Sequence, residues 1–136
     1  MCIRDSIRAG DVQLRKASDR LYTARADDRL RDVVALMKAH NISQLPVVDG
    51  DGRLRGLVSE IDLLNHMLQV DHVHEADETI AEMIDEDVPV VGPNARLETL
   101  MSLISNRPAV VIVGDERVEG ILTKIDILDY LSSQIR

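Results

Sequence analysis

The chain has 136 residues, of which 45% are hydrophobic and 29% are charged, so it fits one compact domain or a pair of small repeats. It carries 24 acidic against 16 basic residues and only two aromatic rings, which argues against nucleic acid as a partner. A lone cysteine, short apolar runs and a polar N-terminus predict a cytoplasmic protein that does not enter a membrane.

Residues 1–11 are an N-terminal segment ahead of the repeats described below, and the first six of them fit no part of the repeat pattern. The opening Met1-Cys2-Ile3-Arg4-Asp5-Ser6 has the character of a partly non-native junction, such as a truncated reading frame produces. We therefore expect the chain to be the tail of a longer protein.

An internal repeat dominates the rest of the chain. Residues 22–24 and 88–91 are short β-prone segments, and each precedes an apolar stripe with helical spacing. The stripe of the first copy recurs 67 residues later in the second, and the two comprise Leu30, Val33, Val34 and Met37, then Leu97, Leu100, Met101 and Ile104. Each stripe predicts one helix that faces a core.

The second part of each copy repeats without a gap at a distance of 64 residues. Residues 45–48 and 109–113 are aliphatic runs typical of buried strands, and a polar turn leads from each to a returning strand over 54–58 and 118–122. A closing helix is predicted from two further stripes: Ile61, Leu64 and Leu68, and Ile125, Leu128 and Leu131.

These elements predict an α/β (α+β) fold of two β-α-β-β-α repeats, over 12–70 and 79–136, with a linker over 71–78. Residues 79–84 favour a short lead-in helix. His72 and His74 lie in the linker and could bind a divalent metal together with His66, Asp71 and Asp77. A solvated acidic linker is the preferred interpretation, because no ligand spacing completes a zinc site. We therefore predict no metal site.

A Gly-x-x-Ser/Thr-x-x-Asp block stands in each copy where the returning strand meets the closing helix. Its hydroxyl falls at the helix N-cap and its carboxylate three residues on. Two interpretations stay open, a capping box that satisfies free backbone amides or a ligand site at a helix N-terminus. The residues concerned are Gly56, Ser59 and Asp62, and then Gly120, Thr123 and Asp126.

Two features of the blocks favour a ligand site over a purely structural capping box. Capping boxes usually carry the longer Glu or Gln, whereas both copies have Asp, a carboxylate that can accept from two ribose hydroxyls. Each block also has a glycine three residues before the cap, which could let a flat ring approach the backbone. A nucleoside fits this chemistry, with its base between aliphatic side chains.

With the stretch Ile42-Ser43-Gln44-Leu45-Pro46-Val47-Val48, the repeats and blocks resemble a tandem pair of CBS domains, a Bateman module, from Val12 to Ile135. The likeness is greatest to the C-terminal regulatory tail of bacterial pyridoxal-phosphate-dependent cystathionine β-synthases and cysteine synthases. The resemblance implies that AMP, ADP, ATP or S-adenosylmethionine binds as an effector in clefts between the repeats, with no covalent cofactor.

The resemblance also implies a role for single residues. Ser59 and Thr123 would contact phosphate or ribose, and Asp62 and Asp126 the ribose hydroxyls, while Thr23, Ser43 and Gln44 would form the wall near the base. Arg107-Pro108 departs from the Ser43-Gln44 pattern, so the base contacts of the second copy differ. Lys124, beside Thr123, is expected to favour phosphate, and Glu60 at the equivalent place to disfavour it.

The expected function is allosteric control of an attached enzyme, a cystathionine β-synthase-like one whose catalytic domain is missing here. The chain itself is predicted not to be an enzyme, because it has no phosphate-loop, nucleophile-elbow or metalloprotease motif. The resemblance further implies a homodimer and two repeats around a pseudo-two-fold axis. The alternative is a structural dimerisation module without bound nucleotide.

Overall fold

The computed structural model describes residues 7–15, 21–69 and 78–134. The chain divides into an inner unit, Tyr22–Asp87, and an outer unit made of Met1–Leu21 and Val88–Arg136. The predicted domain bounds, 12–70 and 79–136, follow the sequence repeat. Each unit of the structure instead combines one repeat with the segment that precedes the other repeat along the chain. None of the helices in the described part of the chain is long and apolar enough to cross a membrane.

The predicted mixed α/β character is confirmed, with five α-helices and five strands among the described residues. In chain order they are α1 (Ala9–Arg15), α2 (Leu30–His40), β1 (Gln44–Val48), β2 (Leu54–Ser59), α3 (Glu60–Met67), β3 (Val90–Val91), α4 (Leu97–Ile104), β4 (Ala109–Gly114), β5 (Arg117–Thr123) and α5 (Lys124–Ser133). Residues 81–83 form a single turn of 3-10 helix where a short lead-in helix was expected.

In the inner unit, β1 and β2 form an antiparallel pair. The strand expected over 22–24 is reduced to one parallel bridge between Ala24 and Val47. Asn41 ends α2 in the left-handed conformation, with φ of 53°. The core beneath the strands takes its side chains from α2, β1, β2, α3 and the 3-10 turn, and includes Leu30, Val33, Met37, Leu45, Val58, Leu63, Ile80 and Met83.

The turn between β1 and β2 is held by the side chain of Asp49. Its Oδ1 accepts hydrogen bonds from the backbone N–H groups of Asp51, at 2.9 Å, and Arg53, at 3.0 Å. The bond from Arg53 is the main cause that lowers the pKa of the Asp49 carboxyl below its usual value. Gly52 adopts φ of 84°, which glycine tolerates without strain.

In the outer unit, β3 runs parallel to β4, and β4 pairs antiparallel with β5. Helix α1, which the sequence analysis did not predict, belongs to this unit. Its first amides are fixed by backbone carbonyls, because Ala9 donates to Ala95 at 2.8 Å and Gly10 to Pro93 at 2.7 Å. The core combines Ile7, Ala9 and Val12 with side chains from α4, the strands and α5.

Five of the six apolar side chains from which the two closing helices were predicted are exposed, whereas the sixth, Leu131, is partly buried against the core of its unit. Helix α3 buries Leu63 and His66, and helix α5 buries Ile127. A short helix with apolar residues on two faces does not reveal by periodicity which face turns inward. The exposed side chains are Ile61 (58% exposed), Leu64 (50%), Leu68 (73%), Ile125 (66%) and Leu128 (61%).

Candidate functional site

Each Gly-x-x-Ser/Thr-x-x-Asp block spans the junction between a strand and a helix. Ser59 is the last residue of β2 and the N-cap of α3, and Thr123 is the last residue of β5 and the N-cap of α5. Asp62 and Asp126 are the third residues of their helices. The predicted placement of hydroxyl and carboxylate at two helix N-termini is therefore confirmed.

In the inner unit the block is a complete capping box. The Ser59 N–H donates to Asp62 Oδ2 at 3.3 Å, and the Ser59 hydroxyl donates to the same oxygen at 2.8 Å. The Asp62 N–H donates back to Ser59 Oγ at 3.2 Å. Ser59 is buried, and the three hydrogen bonds of the capping box use Asp62 Oδ2 and the Ser59 hydroxyl as acceptors.

The outer unit has the same arrangement. The Thr123 N–H donates to Asp126 Oδ2 at 2.8 Å, and the Thr123 hydroxyl donates to that oxygen at 3.0 Å. Thr123 and Asp126 are both half-buried. The capping-box interpretation thus holds in both copies, and it does not by itself exclude the ligand interpretation.

The residues predicted to lie near the base are brought together only in part. Gln44 pairs with Ser59 across the two strands, and the Ser43 carbonyl accepts the Glu60 N–H at 3.0 Å. Thr23 is exposed and precedes Ala24, which borders β1 on the side away from β2. One strand therefore separates Thr23 from the capping box.

Lys124 and Glu60 hold the first position of their helices, next to Thr123 and Ser59. Both side chains are exposed. A charge here acts on the same partially positive helix end that an anionic ligand would face. The two blocks are therefore alike in hydrogen bonding and opposite in the charge beside them.

The space beside both glycines is filled by protein. A Cβ atom on Gly56 would lie 2.5 Å from Ile84 Cγ2 and 2.6 Å from the Asp85 carbonyl oxygen. One on Gly120 would lie 2.2 Å from Gln13 Oε1. The glycines are thus explained by close packing of another segment, which corrects the expectation that they leave room for a flat ring.

The segments that fill the space beside Gly56 and Gly120, residues 78–85 and 7–15, hold equivalent positions in the two units. The Leu30 N–H donates to the Glu78 carbonyl at 2.8 Å, and the Leu97 N–H donates to the Ile7 carbonyl at 3.3 Å. Since Leu30 and Leu97 are equivalent in the repeat, so are Glu78 and Ile7, and Ile84 and Gln13 each lie six residues further on. Sequence analysis did not predict where either segment packs, because each packs with the repeat that it does not precede.

The possible metal ligands of the linker, His72 and His74, lie outside the described residues. Within ranges 7–15, 21–69 and 78–134 no group of three or more His, Cys, Asp or Glu side chains could hold a metal ion.

The amino-acid sequence is similar to the sequences of known proteins. A 33.4 kDa protein from the ribosomal RNA operon of Thermofilum pendens is 32% identical over 107 residues, which are 77% of this chain and 34% of that protein. This chain therefore spans about a third of that relative. Cyclic di-AMP receptor B of Bacillus subtilis is 24% identical over 123 residues, 88% of this chain and 84% of the receptor.

Among solved structures, the CBS domain pair of protein MJ0100, in complex with 5′-methylthioadenosine and S-adenosyl-L-methionine, has the same fold. The TM-score is 0.77 at 24% identity, and the match covers 95% of this chain and 98% of that one. The family model for the CBS domain matches residues 9–69 and 80–133. The chain belongs to the CBS domain family and is a tandem pair of CBS domains.

Proposed function

We propose that this CBS domain pair is a regulatory module that binds an adenosyl compound at the Ser59–Asp62 and Thr123–Asp126 blocks. The observation that carries the proposal is the recurrence of one constellation, an N-cap hydroxyl bonded to an Asp at the third helical position, at both helix N-termini. A structural cap alone does not require Asp in both copies, because Glu and Gln are the usual partners.

The chemistry of the block suits a ribose and its substituents. A carboxylate oxygen accepts from vicinal hydroxyls, and a helix N-terminus stabilises a phosphate. The MJ0100 pair carries S-adenosyl-L-methionine and 5′-methylthioadenosine, and the Bacillus relative is a cyclic di-AMP receptor. Adenosyl compounds are therefore the ligand class to test first, with AMP, ADP, ATP and S-adenosylmethionine as members.

The proposal extends to an attached enzyme that the module controls. The stretch from Ile42 to Val48 and the segment from Gly120 to Leu131 support a cystathionine β-synthase-like or cysteine synthase parent with pyridoxal phosphate. A cytoplasmic location belongs to the same proposal, because nucleotides and S-adenosylmethionine are available there. The nucleotide sequence upstream of Ile7 would test the parent, since a coding region for a pyridoxal-phosphate enzyme should precede it.

A homodimer is the second part of the proposal. Helices α3 and α5 expose large aliphatic side chains, and such faces on a soluble domain mark protein contacts. A second copy of this chain offers the same faces and can cover them with two-fold symmetry. The competing function is a structural dimerisation module in which the blocks serve only as helix caps.

A thermal-shift panel separates the two functions. We expect the melting temperature of the wild-type chain to rise with at least one of AMP, ADP, ATP, S-adenosylmethionine or cyclic di-AMP, because a ligand that binds only the folded state stabilises it. Inosine and pyridoxal phosphate, which contain no adenine, serve as control compounds. A melting temperature that no adenosyl compound raises, at concentrations up to millimolar, would leave only the dimerisation module.

A further inference from the structure

The turn between β1 and β2 contains two Asp-Gly pairs in direct succession, Asp49-Gly50 and Asp51-Gly52. At an Asp-Gly bond a protein chain can react with itself, because glycine has no side chain that shields its backbone nitrogen from the preceding carboxyl group. The two pairs share one turn, but their carboxyl groups lie in different surroundings. The proposed function uses neither pair.

The carboxyl group of Asp49 is fixed by the turn. Its Oδ1 accepts the N–H groups of Asp51 and Arg53, and the Asp49 N–H donates to the Arg53 carbonyl at 2.9 Å. The bond from Arg53 is the main cause that lowers the pKa of this carboxyl, so its protonated form, from which water can leave, is rarer than usual. A reaction at Asp49 therefore requires the loss of two hydrogen bonds to a charged group.

The carboxyl group of Asp51 is exposed and accepts no hydrogen bond from the described residues. The nitrogen with which it would react belongs to Gly52, whose N–H donates to the Asp49 carbonyl at 3.1 Å. One bond between neutral groups is a smaller obstacle than two bonds to a carboxylate, because bonds to charged groups are stronger. We therefore expect Asp51 to be the more reactive of the two.

The second repeat offers a natural comparison. Asp115 lies 64 residues after Asp51 and is also exposed, in the turn between β4 and β5. It is followed by Glu116, where the first repeat has Gly52. The two aspartates are thus alike in exposure, but the side chain of Glu116 crowds the backbone nitrogen beside Asp115. Of these two equivalent positions, only Asp51 has an open backbone nitrogen next to it.

We propose that Asp51-Gly52 is a site of spontaneous backbone modification, at which Asp51 converts to isoaspartate through a cyclic imide. The Gly52 nitrogen gives up its proton and bonds to Asp51 Cγ, while a Cγ–O bond breaks and one water molecule leaves. Water then opens the ring. Opening at Cγ regenerates aspartate, and opening at the main-chain carbonyl carbon leaves isoaspartate. One water molecule is lost and one is gained, with no oxidation, no reduction and no further reactant.

The modification should loosen one end of the inner sheet. Isoaspartate routes the main chain through the Asp51 Cβ and so adds one carbon atom to the turn. This atom lies within the stretch that the bonds between Asp49 and Arg53 close. The pairing of Gln44 with Ser59 lies at the other end of the same strands, so the capping box should be affected least. The modification needs no ligand, and its test is independent of the proposed function.

Incubation of the folded chain in heavy-oxygen water tests the site, because each ring opening leaves one heavy oxygen atom on the residue. Mass spectrometry with peptide fragmentation locates the label and distinguishes isoaspartate from aspartate. We expect Asp51 to gain label about three- to tenfold faster than Asp49, and Asp115 to stay at background. In the chain unfolded by guanidinium the hydrogen bonds are absent, so Asp49 and Asp51 should react at similar rates.

The matched variant is Asp51→Glu, which keeps the exposed carboxylate but would have to form a larger ring, and does so far more slowly. Its residue 51 should gain no label. Aged wild-type protein should melt at a lower temperature than fresh protein, whereas aged Asp51→Glu should not. Equal labelling of Asp49 and Asp51 in the folded chain, or label at residue 51 that persists in Asp51→Glu, would overturn the proposal. A ratio of the two rates that is the same in the folded and the unfolded chain would also overturn it.

Discussion

Gln13 lies directly against Gly120, and its amide oxygen is buried there with no hydrogen-bond partner in the described part of the chain. A buried acceptor that loses water without gaining a donor costs free energy of folding. Ile84 packs against Gly56 in the same way without this cost. The Gln13 side chain therefore stabilises the packing of α1 in the outer unit less than an apolar side chain of the same length would.

Replacing Gln13 by Met should stabilise the protein. Methionine keeps the length and helix propensity of glutamine and removes the unpartnered oxygen, so the free energy of unfolding should rise by about 1 kcal/mol. Urea denaturation measures it. The reciprocal Ile84→Gln places a polar amide against Gly56 and should lower the same free energy by about 1–3 kcal/mol. A Gln13→Met protein that is no more stable than the wild type would contradict the account of this contact.

The two glycines should differ in their tolerance of alanine. In Gly56→Ala the new Cβ meets the Asp85 backbone carbonyl at 2.6 Å, which cannot move without breaking the pairing with Leu57. We expect a loss of about 1–3 kcal/mol in unfolding free energy. In Gly120→Ala the three atoms nearest to the new Cβ all belong to the flexible end of Gln13, so the loss should be smaller.

A double substitution checks this explanation of the glycines. Adding Gln13→Ala to Gly120→Ala removes the clashing side chain and should restore most of the loss caused by Gly120→Ala alone, measured by the same denaturation curves. An equal loss in the two single glycine variants, or no recovery in the double variant, would show that packing of these segments is not what the glycines serve.

The sequence predicted the main elements of each repeat well. The aliphatic stripes of α2 and α4 indicate helices, and the apolar runs of β1 and β4 indicate buried strands. It predicted the capping geometry of Ser59 and Asp62 for the same local reason. It failed where distant segments meet. Neither the cover of Gly120 by Gln13 nor that of Gly56 by Ile84 can be inferred from local periodicity, since each covering segment packs with the other repeat.

Charge beside the two blocks should give them different ligand preferences. Lys124 should favour a phosphate at the Thr123 block, and Glu60 should disfavour phosphate and tolerate the sulfonium of S-adenosylmethionine at the Ser59 block. Because both side chains are exposed, each preference should be only severalfold. The combined swap of Glu60→Lys and Lys124→Glu should exchange the preferences.

Calorimetry measures the affinity of each block for AMP and for S-adenosylmethionine before and after the swap. The two sites are observed singly in Asp62→Asn and Asp126→Asn backgrounds, so that each titration reports one block. Preferences that stay with their original blocks after the swap would show that the shape of the site, and not the neighbouring charge, sets ligand choice.

Self-association should depend on the exposed faces of α3 and α5. We expect the chain to sediment as a homodimer at tens of micromolar, and Leu64→Glu combined with Leu128→Glu to shift it to the monomer with an unchanged helix content. Asn65→Glu on α3, at another exposed position, is the matched control and should leave the dimer intact. A wild-type monomer at this concentration would contradict the dimer.

Isothermal titration of AMP and S-adenosylmethionine into the wild type and the Asp62→Asn/Asp126→Asn double variant tests the central claim most directly. Asparagine keeps an oxygen for the cap and removes the charge, so a ribose contact worth about 1.5–3 kcal/mol should be lost and affinity should fall more than tenfold. Asp11→Asn and Asp28→Asn change carboxylates that accept a backbone N–H three residues earlier outside the blocks, and should bind as the wild type does. Equal affinity in the wild type and the double variant would contradict the adenosyl site.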